Sequence, residues 1–403
     1  MVIHNTESSW EQLLEVARDN TSARRLRRPG QSPSTVPIAS SLHKLPTDTA
    51  PPVVLYRDTN SWCPFCERVW FALEEKEIPF ATEFIDLFNK PKWYTDLVPT
   101  GLVPAVKIED QFVHESKAIL LALEEQFGIT LLPDNLEENA IARQWIEEAE
   151  TGGLEQAGYK FLLEKTSEAD GLVGLQAAFE AKLDELEQAL GQYPGPYFLS
   201  TFSLVDITYS PHLDRLAATL PVYRDYSIKG NPRFPRISAW FVALAERPAY
   251  HRVKSEDITN NLLFRRFWGA EPIANLVPPD PAISHTLACR AEAAERLSDN
   301  HELAIADILK NSGLQAFSGE TSALETAIES HLKLLATYLL YGEDTLLPWG
   351  RIGGKDQSDP FASAVGAIAL TYVRNRICAP RDMSAGAAIA FRAAVDRLLT
   401  SLY

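Results

Sequence analysis

Two of the chain's four cysteines are separated by only two residues, in Ser61-Trp62-Cys63-Pro64-Phe65-Cys66. Such a pair admits a dithiol that cycles with its disulfide, half of a metal site, or a thiolate that forms mixed disulfides. A structural zinc site needs four ligands, and Cys289 and Cys378 are isolated and distant, with no His-rich or HExxH spacing to help. No metal is therefore expected. Two plainly buried cysteines remain an alternative. The local order suits a nucleophile. Cys63 follows a strand-like run and precedes a proline, the residue favoured at the first helical position. That puts Cys63 near a helix N-cap, where free amides and the helix dipole stabilise a thiolate. Cys66 falls within the first turn, more enclosed, as the candidate resolving thiol. Arg68 adds positive charge nearby and Glu67 opposes it.

The surrounding pattern alternates β and α. Residues 52–57 (PVVLYR) read as a strand, and the cysteine segment opens a helix with Val69 and Leu73 on one face. Residues 80–87 are a second strand, and 103–108 with 111–114 form a hairpin around Glu109-Asp110. Residues 116–127 are a helix with Gly128 as its stop. The order β-α-β-loop-β-β-α is that of a thioredoxin-like domain, assigned to residues 53–132.

Two more motifs acquire meaning inside that order. Val103-Pro104 opens the third strand; in a thioredoxin-like fold this proline is usually cis and faces the cysteine. Its N–H and C=O neighbours on Val103 then pair with an extended peptide. A trans proline at a strand start is the competing reading. In His114-Glu115-Ser116, a serine at a helix start can receive a carboxylate with the backbone amides, and Glu115 can accept from an ammonium. Together they match one end of an α-amino acid. An ordinary serine N-cap with a charged neighbour is the alternative.

Beyond residue 133 the strands cease. Leu172, Leu175, Phe179, Leu183, Leu186 and Leu190 step at helical spacing, and Ser203 with Asp206 reads as a capping box. An all-helical domain is assigned to 133–272. The proline-rich stretch 274–284 marks a boundary, and 276–403 form an additional helical domain interrupted by a Gly-rich loop at 348–361. Residues 1–52 are an extension, with a short amphipathic helix around Trp10, Leu13, Leu14 and Ala17, then a Pro/Ser/Thr-rich linker.

The net charge of -16 argues against nucleic acid or an anionic membrane as partner. The basic run Arg24, Arg25, Arg27 and Arg28 is a solvated tail. Four cysteines in 403 residues are no disulfide framework, and no apolar span is long enough for a membrane helix. The N-terminus lacks a secretory signal core and carries Glu7, Glu11, Glu15 and Asp19. A cytoplasmic location is expected, or the plastid stroma if the extension is a transit peptide.

Residues 53–268, with "NKPKWY", "LVPTGLVPAV", "HESKAIL" and "SLVD", resemble the glutathione transferase superfamily, and within it the cysteine-type, omega-like branch. The resemblance implies that Cys63 faces or bonds the glutathione sulfur and that Val103 pairs with its cysteinyl backbone. It implies Lys90 at the glycyl carboxylate, Glu115 and Ser116 at the γ-glutamyl end, and Phe65 and Pro104 among the glutathione-binding residues. The motif departs from the branch's usual Cys-Pro-Phe-Ala, since Cys66 replaces alanine. With its extension and extra domain the chain is similar to the iota class of photosynthetic organisms.

The resemblance implies a glutathione-dependent thiol transferase, with glutathione as co-substrate and a small-molecule or protein mixed disulfide, or dehydroascorbate, as its partner. Ordinary conjugation is disfavoured, because it needs a hydroxyl donor and Ser61 lies before the expected position. A dimer is a common arrangement among such transferases. The alternative is a binding protein that holds a hydrophobic ligand in an interdomain cleft, with Tyr159 and Phe161 on its wall and glutathione as co-ligand.

Overall fold

The computed structural model describes residues 8–20, 51–151, 153–164, 169–273, 286–316, 321–342 and 360–402. The chain divides into two compact units, Ser32–Leu276 and Met1–Gln31 together with Val277–Tyr403.

In the first unit, β1 (Val53–Asp58), α2 (Pro64–Glu75), β2 (Phe80–Ile85), α3 (Lys92–Leu97), β3 (Ala105–Ile108), β4 (Gln111–His114) and α4 (Ser116–Gln126) follow in order. The sheet runs β2-β1-β3-β4, with β1 parallel to β2 and β3 antiparallel to both β1 and β4. Val53 and Leu55 are buried and alternate with half-buried neighbours, the period of two that a covered sheet face demands. The expected thioredoxin-like order is present. The second strand ends at Ile85, not at residue 87, and the third begins at Ala105, two residues late, because Pro104 has no N–H for the ladder. Helix α4 ends at Gln126, one residue short of the expected 127, with Phe127 extended (φ -125, ψ 132). The Glu124 carboxylate accepts from the amides of Leu131 and Leu132 (2.8 and 3.1 Å), drawing the next segment back over the helix end.

Register decides what these elements can do. Tyr56 lies opposite Ala105, and Ala105 opposite His114; Asp58 lies beside Ile85. The cysteine loop after β1, the stretch after β2 that leads to Lys90, Val103-Pro104 before β3 and Glu115-Ser116 after β4 therefore leave the sheet at one end.

The same unit continues as α5 (Leu136–Thr151), α6 (Leu154–Leu163), α7 (Ala169–Ala189), α8 (Leu204–Arg224), α9 (Pro235–Ala245), α10 (Pro248–Val253) and α11 (Asp257–Trp268). The capping box is present: Ser203 Oγ accepts from Val205 N (3.2 Å), and the Asp206 carboxylate accepts from Ser203 N (2.9 Å). Helix α8 is buried along nearly its whole length. Gly158 lets α6 approach it closely, since a Cβ there would lie 2.4 Å from Leu216 Cδ1.

The second unit comprises α1 (Trp10–Asn20), α12 (Leu287–Asp299), α13 (His301–Asn311), a short 3-10 turn (Leu314–Ala316), α14 (Thr321–Tyr341), α15 (Pro360–Arg376) and α16 (Ala385–Leu402). The amphipathic helix expected near Trp10 is a core element of this bundle. Trp10, Leu13 and Ala17 share one helical face and are buried in the same core as Leu297, Ile328, Leu332, Leu335 and Phe391. Trp10 stacks on His301 at 4.4 Å, and its Nε1 donates to Glu329 (3.1 Å). The Pro/Ser/Thr-rich linker, the 274–284 boundary and the Gly-rich loop up to residue 359 lie outside the described residues. Among the described residues, no helix is long and apolar enough to cross a membrane.

Candidate functional site

Cys63 is the N-cap of α2, in extended conformation (φ -62, ψ 114) with Pro64 as the first helical residue. No side chain caps this end, so the first amides of α2 face the sulfur's surroundings unclaimed. The Cys63 Sγ lies 3.7 Å from the carbonyl oxygen of Val103, and the Val103–Pro104 bond is cis. Both cysteines are buried, Cys66 the more deeply of the two, at 2% exposure against 9% for Cys63. Burial, and then the neighbouring Cys63, push the Cys66 thiol well above its ordinary range, which keeps it protonated.

The charges flanking the motif have another task than the one expected of them. Arg68 is buried, donating to Thr208 O (2.8 Å) and to Glu150 (2.7 Å), with its guanidinium over the Phe65 ring. Glu67 is buried and accepts from Arg215 (2.7 Å). Both charges are spent stitching α2 to the helical half, and neither is aimed at Cys63. Phe65 is half-buried and meets His212 edge-on at 4.9 Å, so its ring faces α8. His212 is pushed well below its usual range by burial, then by Arg68 and Arg215; the ring is neutral.

Glu115, not Ser116, occupies the N-cap of α4, with a left-handed φ of 71 and its side chain exposed. A non-glycine residue held there stores strain of about 1–3 kcal/mol, of the kind that collects at ligand sites. Ser116 is buried at the first helical position, and its side chain makes no cap hydrogen bond. The capping alternative therefore fails. Lys90 is half-buried and makes no ion pair among the described residues. Its ammonium would stand 3.6 Å from a Cβ on Gly101, a residue whose φ of 63 favours glycine. Tyr94 fastens the same loop by donating to Leu102 O (2.6 Å).

The sequence also suggested Tyr159 and Phe161 as cleft residues, and the structure separates them. Phe161 is core, packed against Phe179 and Tyr226. Tyr159 is half-buried and edge-on to His212, with burial holding its phenol protonated. The Ser61 hydroxyl accepts from Arg57 Nη1 (2.8 Å), which holds it against β1. Sequence reasoning missed Arg215, Asp58 and His212. The signal was there in "SPHLDRLAATL", where three ionisable residues interrupt an otherwise apolar helix. Among the described residues no cluster of His, Cys, Asp or Glu could hold a metal ion.

The arrangement is a sulfur at a helix N-terminus, beside the half-buried carbonyl that precedes β3, at the same sheet end as a strained acidic N-cap and a lysine without an ion pair among the described residues. It suits a small peptide that carries a thiol between its two charged ends. The chain is also similar to known proteins. Residues 62–126 match the family model described as glutathione S-transferase, N-terminal domain, and 140–243 match the one described as glutathione S-transferase, C-terminal domain. The chain is 32% identical over 180 residues to Protein IN2-1 homolog B of Oryza sativa subsp. indica, across 43% of this chain and 70% of that one. It is 28% identical over 195 residues to Glutathione S-transferase DHAR2 of Arabidopsis thaliana, across 48% and 84% respectively. A crystal structure of glutathione transferase Omega 3C from Trametes versicolor is 27% identical, with a TM-score of 0.46 over 53% of this chain and 92% of that one.

Proposed function

This chain belongs to the glutathione S-transferase family, and from that premise we propose that it is a glutathione-dependent thiol transferase of the omega-like type with Cys63 as nucleophile. The observation that carries the reading is the Cys63 sulfur, at an uncapped helix N-terminus and 3.7 Å from the Val103 carbonyl. A hydroxyl at this position would favour conjugation by donating to a glutathione thiolate; a cysteine instead forms and breaks disulfides.

In the proposed cycle the Cys63 thiolate attacks the glutathionyl sulfur of a mixed disulfide. A Cys63–glutathione disulfide forms, and the partner leaves as a thiolate that takes a proton from water. A second glutathione thiolate then attacks the glutathionyl sulfur on Cys63, releasing oxidised glutathione and the Cys63 thiolate. Val103 positions the cysteinyl backbone, Glu115 and Ser116 hold the γ-glutamyl end, and Lys90 pairs with the glycyl carboxylate. The same thiolate chemistry extends to dehydroascorbate, which takes up two electrons from two glutathiones. A protonated, enclosed Cys66 supports resolution by glutathione over resolution within the pair.

Intact-mass spectra after incubation with oxidised glutathione test this. A single glutathione adduct that vanishes in Cys63→Ser is expected, together with loss of mixed-disulfide reduction in that variant. Loss of two hydrogens in place of the adduct would mean a Cys63–Cys66 disulfide. Activity that survives in Cys63→Ser would overturn the mechanism.

A further inference from the structure

The loop that presents Cys63 is held by a residue from the helical half. Two consecutive peptide groups precede the cysteine, and each is bound at both ends. For the Ser61–Trp62 peptide, the carbonyl accepts from Arg215 Nη2 (3.3 Å) and the amide donates to Asp58 Oδ2 (2.8 Å). For the Trp62–Cys63 peptide, the carbonyl accepts from Arg215 Nε (2.6 Å) and the amide donates to Asp58 Oδ1 (3.3 Å). Asp58 takes the amides and Arg215 takes the carbonyls. Arg215 also pairs with Glu67, one turn into the helix that Cys63 caps, and binds Pro211 O (2.9 Å) on its own helix. Asp58 is 0% and Arg215 1% exposed, so water does not compete for these bonds. Ser61, midway between β1 and α2, has a left-handed φ of 58 that a free loop would relax.

We infer that Arg215 is a positioning residue for Cys63: with Asp58 it forms a clamp across the chain that fixes where the sulfur sits relative to bound glutathione. The inference rests on Cys63 being the nucleophile. Val103, Pro104, Lys90, Glu115 and Ser116, assigned to glutathione, lie outside the segment the clamp holds and none is bonded to Arg215, so loosening the clamp moves the sulfur and leaves these groups in place; Phe65, whose ring faces α8, is not bonded to Arg215 either. Disulfide exchange needs the attacking sulfur in line with the bond it breaks, and misplacement by about 1 Å costs about a hundredfold in rate. A lysine retains the charge but lacks the planar fork that reaches both carbonyls and the Glu67 carboxylate at once.

Steady-state reduction of the glutathione–2-mercaptoethanol mixed disulfide by Arg215→Met and Arg215→Lys tests the clamp. The expected result for Arg215→Met is kcat down by about 30- to 100-fold with KM for glutathione within about twofold. Arg215→Lys should recover part of that loss at the same KM. Equal kcat in wild type and Arg215→Met would overturn the inference, as would kcat and KM changing in parallel, or no recovery by lysine. Should the methionine variant not fold, the lysine variant carries the test: reduced kcat at unchanged KM supports the clamp, and wild-type kcat overturns it. Hydrogen exchange of the peptide spanning residues 59–66 separates this inference from the proposed activity, because it needs no turnover. Selective loss of protection there in Arg215→Lys supports the clamp even if the wild type proves inactive; unchanged protection overturns it.

Discussion

The sulfur of Cys63 and the carbonyl oxygen of Val103 stand 3.7 Å apart although 40 positions separate them in the chain. The contact exists because β3 runs antiparallel to β1 in the register that sets Ala105 against Tyr56, so the start of one strand meets the end of the other. A thiol-bearing peptide laid along Val103 would have its sulfur delivered to Cys63 by that register alone.

The two cysteines should differ sharply in reactivity. Iodoacetamide is expected to label Cys63 in the native protein and Cys66 only after unfolding, because burial keeps the Cys66 thiol protonated and enclosed. Cys66→Ser should retain mixed-disulfide reduction within about threefold, since glutathione itself resolves the intermediate. Peptide mapping and steady-state assays check both; a Cys66→Ser enzyme without activity would place the second sulfur in turnover.

Glu115→Gln and Ser116→Ala should weaken glutathione binding without touching the chemical step. Each removes a charge-assisted or buried hydrogen bond of about 1.5 kcal/mol, which corresponds to about a tenfold rise in KM for glutathione at nearly constant kcat. A fall in kcat at constant KM would assign these residues to the reaction instead.

Asp206 gives a pH signature. Burial pushes its carboxyl up to about 6, against the pull of donors from Trp240 Nε1, Ser203 N, Phe198 N and Ser203 Oγ. The folded value exceeds the ordinary 3.8, so the contribution of the neutral form is complete below that pH and is lost as pH rises through about 6. The displacement corresponds to about 3 kcal/mol. The unfolding free energy of wild type minus that of Asp206→Asn is expected to fall by up to that amount between pH 4 and 7 in urea titrations. A difference that grows with pH would mean the donors outweigh burial.

Trp10→Ala should destabilise the helical bundle formed with residues 287–402. The indole is 6% exposed, stacks on His301 and binds Glu329, and loss of such a side chain costs about 3–5 kcal/mol. Hydrogen exchange in α12 and α14 should accelerate, while mixed-disulfide reduction by the first unit stays at the wild-type level. Unchanged exchange would deny α1 its structural role.

Much of this protein was legible in the residue order alone. Cys-Pro after a strand puts a sulfur at a helix N-cap because proline tolerates that position, and period-two and helical spacings located the strands and helices to within two residues in most cases. Local rules of this kind need no knowledge of what lies across the fold. The roles of the charged residues did need it. Glu67 and Arg68 read as tuning charges for Cys63, yet α8 supplies Arg215, Thr208 O and a helical face that bury both in pairing across the unit. Trp10 read as part of an extension, yet the bundle completed its core with it. Sequence spacing determined where the nucleophile begins a helix; only the tertiary structure decided what holds it there. Coulomb pairing and burial depend on neighbours about 150 residues away, as Arg215 is from Trp62, and no local pattern encodes them.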